Sequence, residues 1–105
     1  MRKPVAYDDE MIIVSGWLRV AAESRAKYLE SCRDVTVKAR ATPGCIDFHL
    51  AADPLDDERI NVFEQWDSVD AVERFRGAGP SDDQQAMIIG AQVDQHEIAS
   101  TISLT

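Results

Sequence analysis

The sequence has few cysteines, few histidines and an excess of acidic over basic residues. Among its 105 residues are two cysteines, two histidines, and 11 lysines and arginines against 19 aspartates and glutamates, which gives a formal net charge of -8. A phosphate-binding surface needs concentrated basic residues, so this charge argues against a nucleic-acid partner and against an anionic membrane surface. His49 and His96 lie far apart and no cysteine–histidine spacing of the metal-binding type occurs, so no metal site is expected.

Long apolar runs are also missing. No stretch approaches the length of a membrane-spanning helix, and the first residues lack the apolar segment of a signal peptide. We therefore expect a cytoplasmic protein in which Cys32 and Cys45 stay as reduced, buried thiols. With 45% hydrophobic residues, the composition is typical of a globular protein. We expect one domain over residues 11–105, preceded by a flexible, acidic lead-in over residues 1–10.

Residues 60–79 contain the clearest structural signal in the chain. A β-branched and aromatic run that ends at Trp66 predicts a strand, and Ser68 and the residue before it are good helix N-caps. The apolar residues that follow, from Ala71 to Phe75, recur with helical spacing. Trp66 therefore lies at a strand-to-helix junction. Its ring is either a hydrophobic plug that closes the core, which is the favoured interpretation, or the wall of a pocket.

The rest of the chain follows the same pattern of alternating elements. Periodicity predicts strands over residues 11–20, 45–52 and 90–103, a helix over residues 23–41, and a short helix that begins with a capping box at residues 81–84. This order is the ferredoxin-like β-α-β-β-α-β arrangement, an α+β fold with a four-stranded antiparallel sheet and both helices on one face. The first strand is apolar on both faces, and Trp17 lies on the face away from Val14. We expect a partner subunit to cover that second face.

Two segments stand out, Thr42-Pro43-Gly44-Cys45 and Phe63-Glu64-Gln65-Trp66-Asp67-Ser68, the latter followed by Ala71 and Phe75. With these segments the chain resembles the antibiotic biosynthesis monooxygenase family of the dimeric α+β barrel superfamily. The resemblance covers about residues 11–100. It implies a homodimer that forms a dimeric α+β barrel, with one pocket per subunit between sheet and helices. Because relatives oxidise quinols, anthrones and similar aromatics without metal or flavin, it also implies a small aromatic substrate, dioxygen and no cofactor.

The sequence departs from the best-known members of that family. Haem-degrading relatives use an asparagine, a second tryptophan and a histidine where this chain has Gly16, Phe75 and residues 84–85, which argues against haem degradation. Anthrone-oxidising relatives use an asparagine and a tyrosine where this chain has Val62 and Val72. No catalytic set of the family is complete. A non-catalytic or lyase- or cyclase-like barrel that binds a small apolar molecule is therefore the alternative function.

Glu64 and His49 are the predicted catalytic residues. Glu64 shares its strand face with Val62 and Trp66, so a carboxylate there would be partly shielded from water and could act as a base; the alternative is a capping role. His49 shares its face with Asp47, but strand periodicity does not decide whether that face meets the helices or the dimer partner. The predicted substrate-binding residues are Trp66, Phe75, Val62, Gly16 and Val14. Gly77 and Gly79 are predicted to form a mobile lid.

Overall fold

The computed structural model describes residues 4–5, 11–76 and 81–105. Its strands are β1 (Pro4–Val5), β2 (Ile12–Val20), β3 (Cys45–Ala52), β4 (Arg59–Trp66), β5 (Ile88–Glu97) and β6 (Thr101–Ile102). Its helices are α1 (Arg25–Arg40), preceded by a 3-10 turn over Ala22–Ser24, then α2 (Val69–Arg76) and α3 (Asp82–Met87). Within the described ranges, no helix combines the length and the apolar character needed to span a membrane.

The four long strands form one antiparallel sheet in the order β3-β4-β2-β5. This is the predicted ferredoxin-like topology, and the helices pack on one face of the sheet. The predicted last strand is divided in two, because β5 ends at Glu97 and β6 pairs with β1 in a separate two-stranded sheet. The prediction of one continuous strand over residues 90–103 was therefore wrong in its second half.

The helix-facing side of the sheet is built from alternate residues of each strand. On β4 these are Ile60, Val62, Glu64 and Trp66, all of them buried, while the residues between them are only partly buried. Trp66 and Ile60 each belong to one of two hydrophobic clusters in the core. This alternation is what a strand with one face on a core requires, and it fixes where each side chain of the site points.

Gly16 of β2 pairs with Val93 of β5 at a close approach of the two backbones. Its φ angle is +154°, and a Cβ atom added there would lie 1.9 Å from the carbonyl oxygen of Gln92 and 2.8 Å from the Cα atom of Val93. Both atoms belong to the backbone of β5, so neither can move without disturbing the pairing of the two strands. Glycine is needed at this position because the neighbouring backbone occupies the space of a side chain.

A second close contact joins two corners at one end of the sheet. Gly44, between α1 and β3, has a φ angle of +93°, and its carbonyl oxygen accepts a hydrogen bond of 2.8 Å from the backbone N–H of Asp67. A Cβ atom on Gly44 would lie 2.5 Å from the Cβ atom of Ala71. Ser68 caps α2 as predicted, because its Oγ accepts from the N–H of Ala71 at 3.1 Å.

Candidate functional site

A cavity of about 720 Å³ lies between the helix-facing side of the sheet and the helices α1 and α3. Most of its lining is aliphatic or aromatic, with Leu50 and Val62 from the sheet, Val35 from α1 and Phe75 from α2. Its size and lining are those of a small-molecule pocket, in which a few polar groups fix the orientation of an apolar ligand. The prediction that Val62 and Phe75 line a pocket agrees with this geometry.

Glu64 is the buried acidic group of this cavity. It is 4% exposed, and its Oε1 atom accepts hydrogen bonds from Trp66 Nε1 at 3.0 Å and from a terminal nitrogen of Arg76 at 2.8 Å. Within residues 11–76 and 81–105, no donor reaches the other carboxylate oxygen, Oε2. A buried carboxylate requires such donors, because an unpaired buried charge is very unfavourable. Two donors thus hold Oε1 in place.

Trp66 lies behind this carboxylate and does not line the cavity. Its side chain is 0% exposed and packs in the cluster of Ile12, Val14, Ala71 and Val72. The structure therefore agrees with the interpretation of Trp66 as a core plug. It does not agree with the expectation that Trp66 contacts the substrate directly. Its indole N–H nevertheless acts on the site, because it holds Glu64.

Arg76, the last residue of α2, completes the polar group of the site. Its side chain is 45% exposed and forms an ion pair with Glu64, and it also lines the cavity. The sequence analysis did not include this arginine in the site, because an arginine at the end of a helix is more often a solvated surface residue. The signal that could have found it is the burial of Glu64, since a carboxylate that faces the core needs a cation within reach.

Two predicted lining residues, Val14 and Gly16, lie on the helix-facing side but not at the cavity. Val14 is 2% exposed and belongs to the cluster that surrounds Trp66. The space beside Gly16 is filled by the backbone of β5, as described above. Phe75 connects the cavity to this core, because its ring centroid lies 5.3 Å from that of Trp66 and 5.4 Å from that of Phe48.

His49 does not lie with Glu64. It is exposed, pairs across the strands with Phe63, and has its ring centroid 5.5 Å from the centroid of Phe63, on the side of the sheet away from the helices. Since Phe48 and Leu50 face the helices and side chains alternate along a strand, His49 must point the other way. The facing of His49, which the sequence left open, is therefore away from the helices, and the two predicted catalytic residues Glu64 and His49 lie on opposite faces of the sheet.

Tyr28 is a polar group of the cavity, and the sequence analysis placed it only within the predicted helix over residues 23–41. It is 4% exposed, lies on α1 and lines the cavity beside Cys32. Burial, together with the neighbouring thiol, raises the pKa of Tyr28 to about 12, so its hydroxyl is protonated at neutral pH. Cys32 and Cys45 are free thiols, as predicted, although Cys45 is only partly buried.

The predicted lid residues Gly77 and Gly79 lie outside the described residues. In the part of the chain that the structure describes, no three or more histidine, cysteine or acidic side chains are grouped so as to hold a metal ion. The described groups can perform proton transfer, with the carboxylate of Glu64 as the acceptor. The guanidinium of Arg76 beside it can stabilise an anion within the largely apolar cavity.

Comparison with known proteins gives one family match. The sequence model described as antibiotic biosynthesis monooxygenase matches residues 11–87. A search of curated proteins found no match.

Several solved structures share the fold at low sequence identity. One from Pseudomonas aeruginosa has 21% identity over 89% of this chain and 98% of its own, with a TM-score of 0.72. A Caulobacter crescentus protein named as a candidate antibiotic biosynthesis monooxygenase has 22% identity over 89% of this chain and 93% of its own, with a TM-score of 0.72. A Bacteroides thetaiotaomicron protein of unknown function has 16% identity over 86% of this chain and 99% of its own, with a TM-score of 0.75. These likenesses concern the fold alone.

Proposed function

The chain belongs to the antibiotic biosynthesis monooxygenase family, and from this premise we propose that it is a cofactor-independent monooxygenase that oxidises a quinol-like or polyketide-derived aromatic with dioxygen. The observation that carries the proposal is Glu64. This buried carboxylate stands at the wall of a largely apolar cavity, with one oxygen held by Trp66 and Arg76 and the other left for a ligand.

The proposed reaction begins with proton transfer. Glu64 Oε2 accepts a proton from a phenolic or enolic hydroxyl of the substrate, and the guanidinium of Arg76 stabilises the resulting anion. The anion then passes an electron to dioxygen, and the apolar walls hold the radical pair until it combines. For a methylene between two rings, two C–H bonds are replaced by one C=O bond. One oxygen atom enters the product and the other leaves as water, so that the substrate supplies all the electrons.

Oxygen uptake by the purified protein tests this function. A panel of hydroquinones and anthrones is offered, and consumption is measured with an oxygen electrode. Glu64→Gln keeps the size of the side chain but removes the base, and we expect it to lower the rate about 100-fold or more. Glu73→Gln is the matched control, because it makes the same change at an exposed position of α2, and it should leave the rate unchanged. Equal rates in the wild type and Glu64→Gln would contradict the proposal.

A non-catalytic or lyase- or cyclase-like function is the second candidate, and the ion pair itself favours it. A carboxylate already engaged by Arg76 at 2.8 Å can accept a hydrogen bond from the hydroxyl of a ligand without removing its proton. Such a protein would bind the same aromatics without consuming oxygen. Calorimetric binding of a ligand that produces no uptake would therefore support this candidate against the monooxygenase.

We propose in addition that a second copy of the chain covers the face of the sheet opposite the helices. Trp17 lies on this face, with the guanidinium carbon of Arg19 at 5.8 Å and that of Arg59 at 6.0 Å from its ring centroid. Phe63 lies on the same face, so aromatic and cationic groups are grouped there as they are in protein interfaces.

The free thiols of Cys32 and Cys45 support a cytoplasmic location, where thiols stay reduced.

Sedimentation velocity tests the homodimer. We expect a dimer for the wild type at micromolar concentration and a monomer for Trp17→Glu, because this change replaces aromatic surface that the partner would cover with a short, charged side chain. The control is Val37→Glu, which places the same charge on the outer surface of α1, where Val37 is 69% exposed, and it should remain a dimer. A monomeric wild type would contradict the proposed partner.

A further inference from the structure

The cavity has buried polar groups at two separate positions. Ile60, Val62 and Glu64 follow one another on the same face of β4, and Ile60 packs with Tyr28 and Cys32. The Cα atoms of Ile60 and Glu64 are about 13 Å apart, since a strand advances about 3.3 Å per residue. Val62 lines the cavity between them. An elongated apolar chamber therefore runs from the carboxylate towards the phenol of Tyr28.

Tyr28 lines this chamber. The neighbour of its hydroxyl is the thiol of Cys32, which is a weak hydrogen-bond partner. Among the described residues, every fully buried side-chain oxygen or nitrogen has a hydrogen-bond partner. The side chain as a whole is 4% exposed, and it is one of those that line the cavity.

The other polar groups at the Tyr28 end of the cavity are less suited to form a hydrogen bond with a ligand. Gln84 donates to Ser31 Oγ at 3.0 Å and accepts from the N–H of Ser81 at 3.1 Å, so the side chain of Gln84 is already engaged. Asp34 and Lys38 are exposed on α1, where solvent weakens their interactions. Tyr28 is the buried oxygen donor at this end within the described residues.

We propose that Tyr28 is a specificity-determining residue that donates a hydrogen bond to an acceptor on the substrate, at the end remote from the hydroxyl that meets Glu64. This inference rests on the proposed function for the identity of the ligand end at Glu64. The selected class is an elongated aromatic with an acidic hydroxyl at one end and a hydroxyl or carbonyl oxygen at the other. An aromatic with only the first group would leave the phenol of Tyr28 without a strong acceptor.

Binding without oxygen separates this role from the reaction. The probes are a naphthol with one hydroxyl group and a naphthalenediol with hydroxyls at opposite ends of the ring system, titrated by calorimetry under nitrogen. We expect the wild type to bind the diol about tenfold more tightly than the naphthol. Tyr28→Phe, which keeps the ring, should remove this preference by weakening the diol alone.

Two controls make the result specific. Ser31→Ala removes a hydroxyl of the cavity wall that is already engaged with Gln84, and it should keep the preference for the diol. Alkaline absorbance titration should show a phenol ionising near pH 12 in the wild type but not in Tyr28→Phe, which verifies the placement of Tyr28.

The outcomes distinguish this role from the proposed function. Equal weakening of both probes by Tyr28→Phe, or no change in either, would overturn the role of Tyr28 even if the protein consumes oxygen. A lost preference in a protein that consumes no oxygen would support this role and contradict the monooxygenase. Failure of both probes to bind the wild type would overturn the role of Tyr28 as well, because the phenol would then have no ligand to read.

Discussion

Trp66→Ala is expected to lower the free energy of unfolding by about 4 kcal/mol, the usual loss when a large buried ring is removed from a core. The indole is 0% exposed and packs against Ile12, Val14 and Val72, so its removal leaves a cavity that close-packed neighbours cannot fill. Urea unfolding followed by far-ultraviolet circular dichroism measures the loss. Fluorescence is less suitable, because the variant retains only one of the two tryptophans.

Trp66→Phe separates packing from the hydrogen bond to Glu64. It keeps a ring in the core but removes the N–H that reaches Oε1 at 3.0 Å, and we expect a loss of about 2 kcal/mol. In a Glu64→Gln background the same change should cost about 1 kcal/mol less, because no charged acceptor is left. An equal loss in both backgrounds would show that the charge of Glu64 adds nothing measurable to this hydrogen bond.

Gly16→Ala is expected to destabilise the protein by about 3 kcal/mol or to prevent folding, because overpacking here meets backbone and not a movable side chain. The added Cβ atom would lie 1.9 Å from the carbonyl oxygen of Gln92, and β2 and β5 would have to separate. The pairing of Gly16 with Val93 lies near the middle of the contact between the two strands, so the disturbance cannot be confined to an end.

Gly90→Ala is the matched control for this prediction. It lies on β5 opposite Arg19, and an added Cβ atom would make ordinary contacts, 3.6 Å from the Cβ atom of Arg19 and 3.7 Å from a ring carbon of Trp17. We expect a change within about 0.5 kcal/mol, as for most substitutions that meet open space. Similar urea midpoints for the two variants would contradict the close approach of β5 to Gly16.

Much of the fold could be predicted because alternation and capping are local signals. The bounds of β3 coincide with the prediction, and Ser68 begins α2 where its side chain can accept from the first turn. The last strand was predicted as one element because alternation does not report which strand a segment pairs with. The partner of β6 is β1, almost one hundred residues away in the sequence, and such a non-local pairing leaves no local trace.

The site was predictable in its side-chain directions but not in its depth. Periodicity put Glu64, Val62 and Trp66 on one face, and the structure agrees. Periodicity could not tell that the cavity stops at Glu64 and leaves Trp66 behind it, because the extent of a cavity depends on how α1, α2 and α3 pack. The facing of His49 was left open for a similar reason, although Phe48 and Leu50 beside it are apolar and favour the core.

The hydrogen bond between Gly44 and Asp67 joins the two segments, residues 42–45 and 63–68, that carry the resemblance to the family. The glycine of the first segment and the aspartate of the second meet at 2.8 Å, and Ala71 leaves no room for a side chain between them. These residues are therefore tied to one another by the geometry of a corner, at some distance along the sequence from the phenol of Tyr28. A genome survey that relies on them would collect proteins with a common scaffold, whichever compounds those proteins transform. Sorting such a collection by chemistry would require comparing the residues that stand at positions 28, 64 and 76 instead.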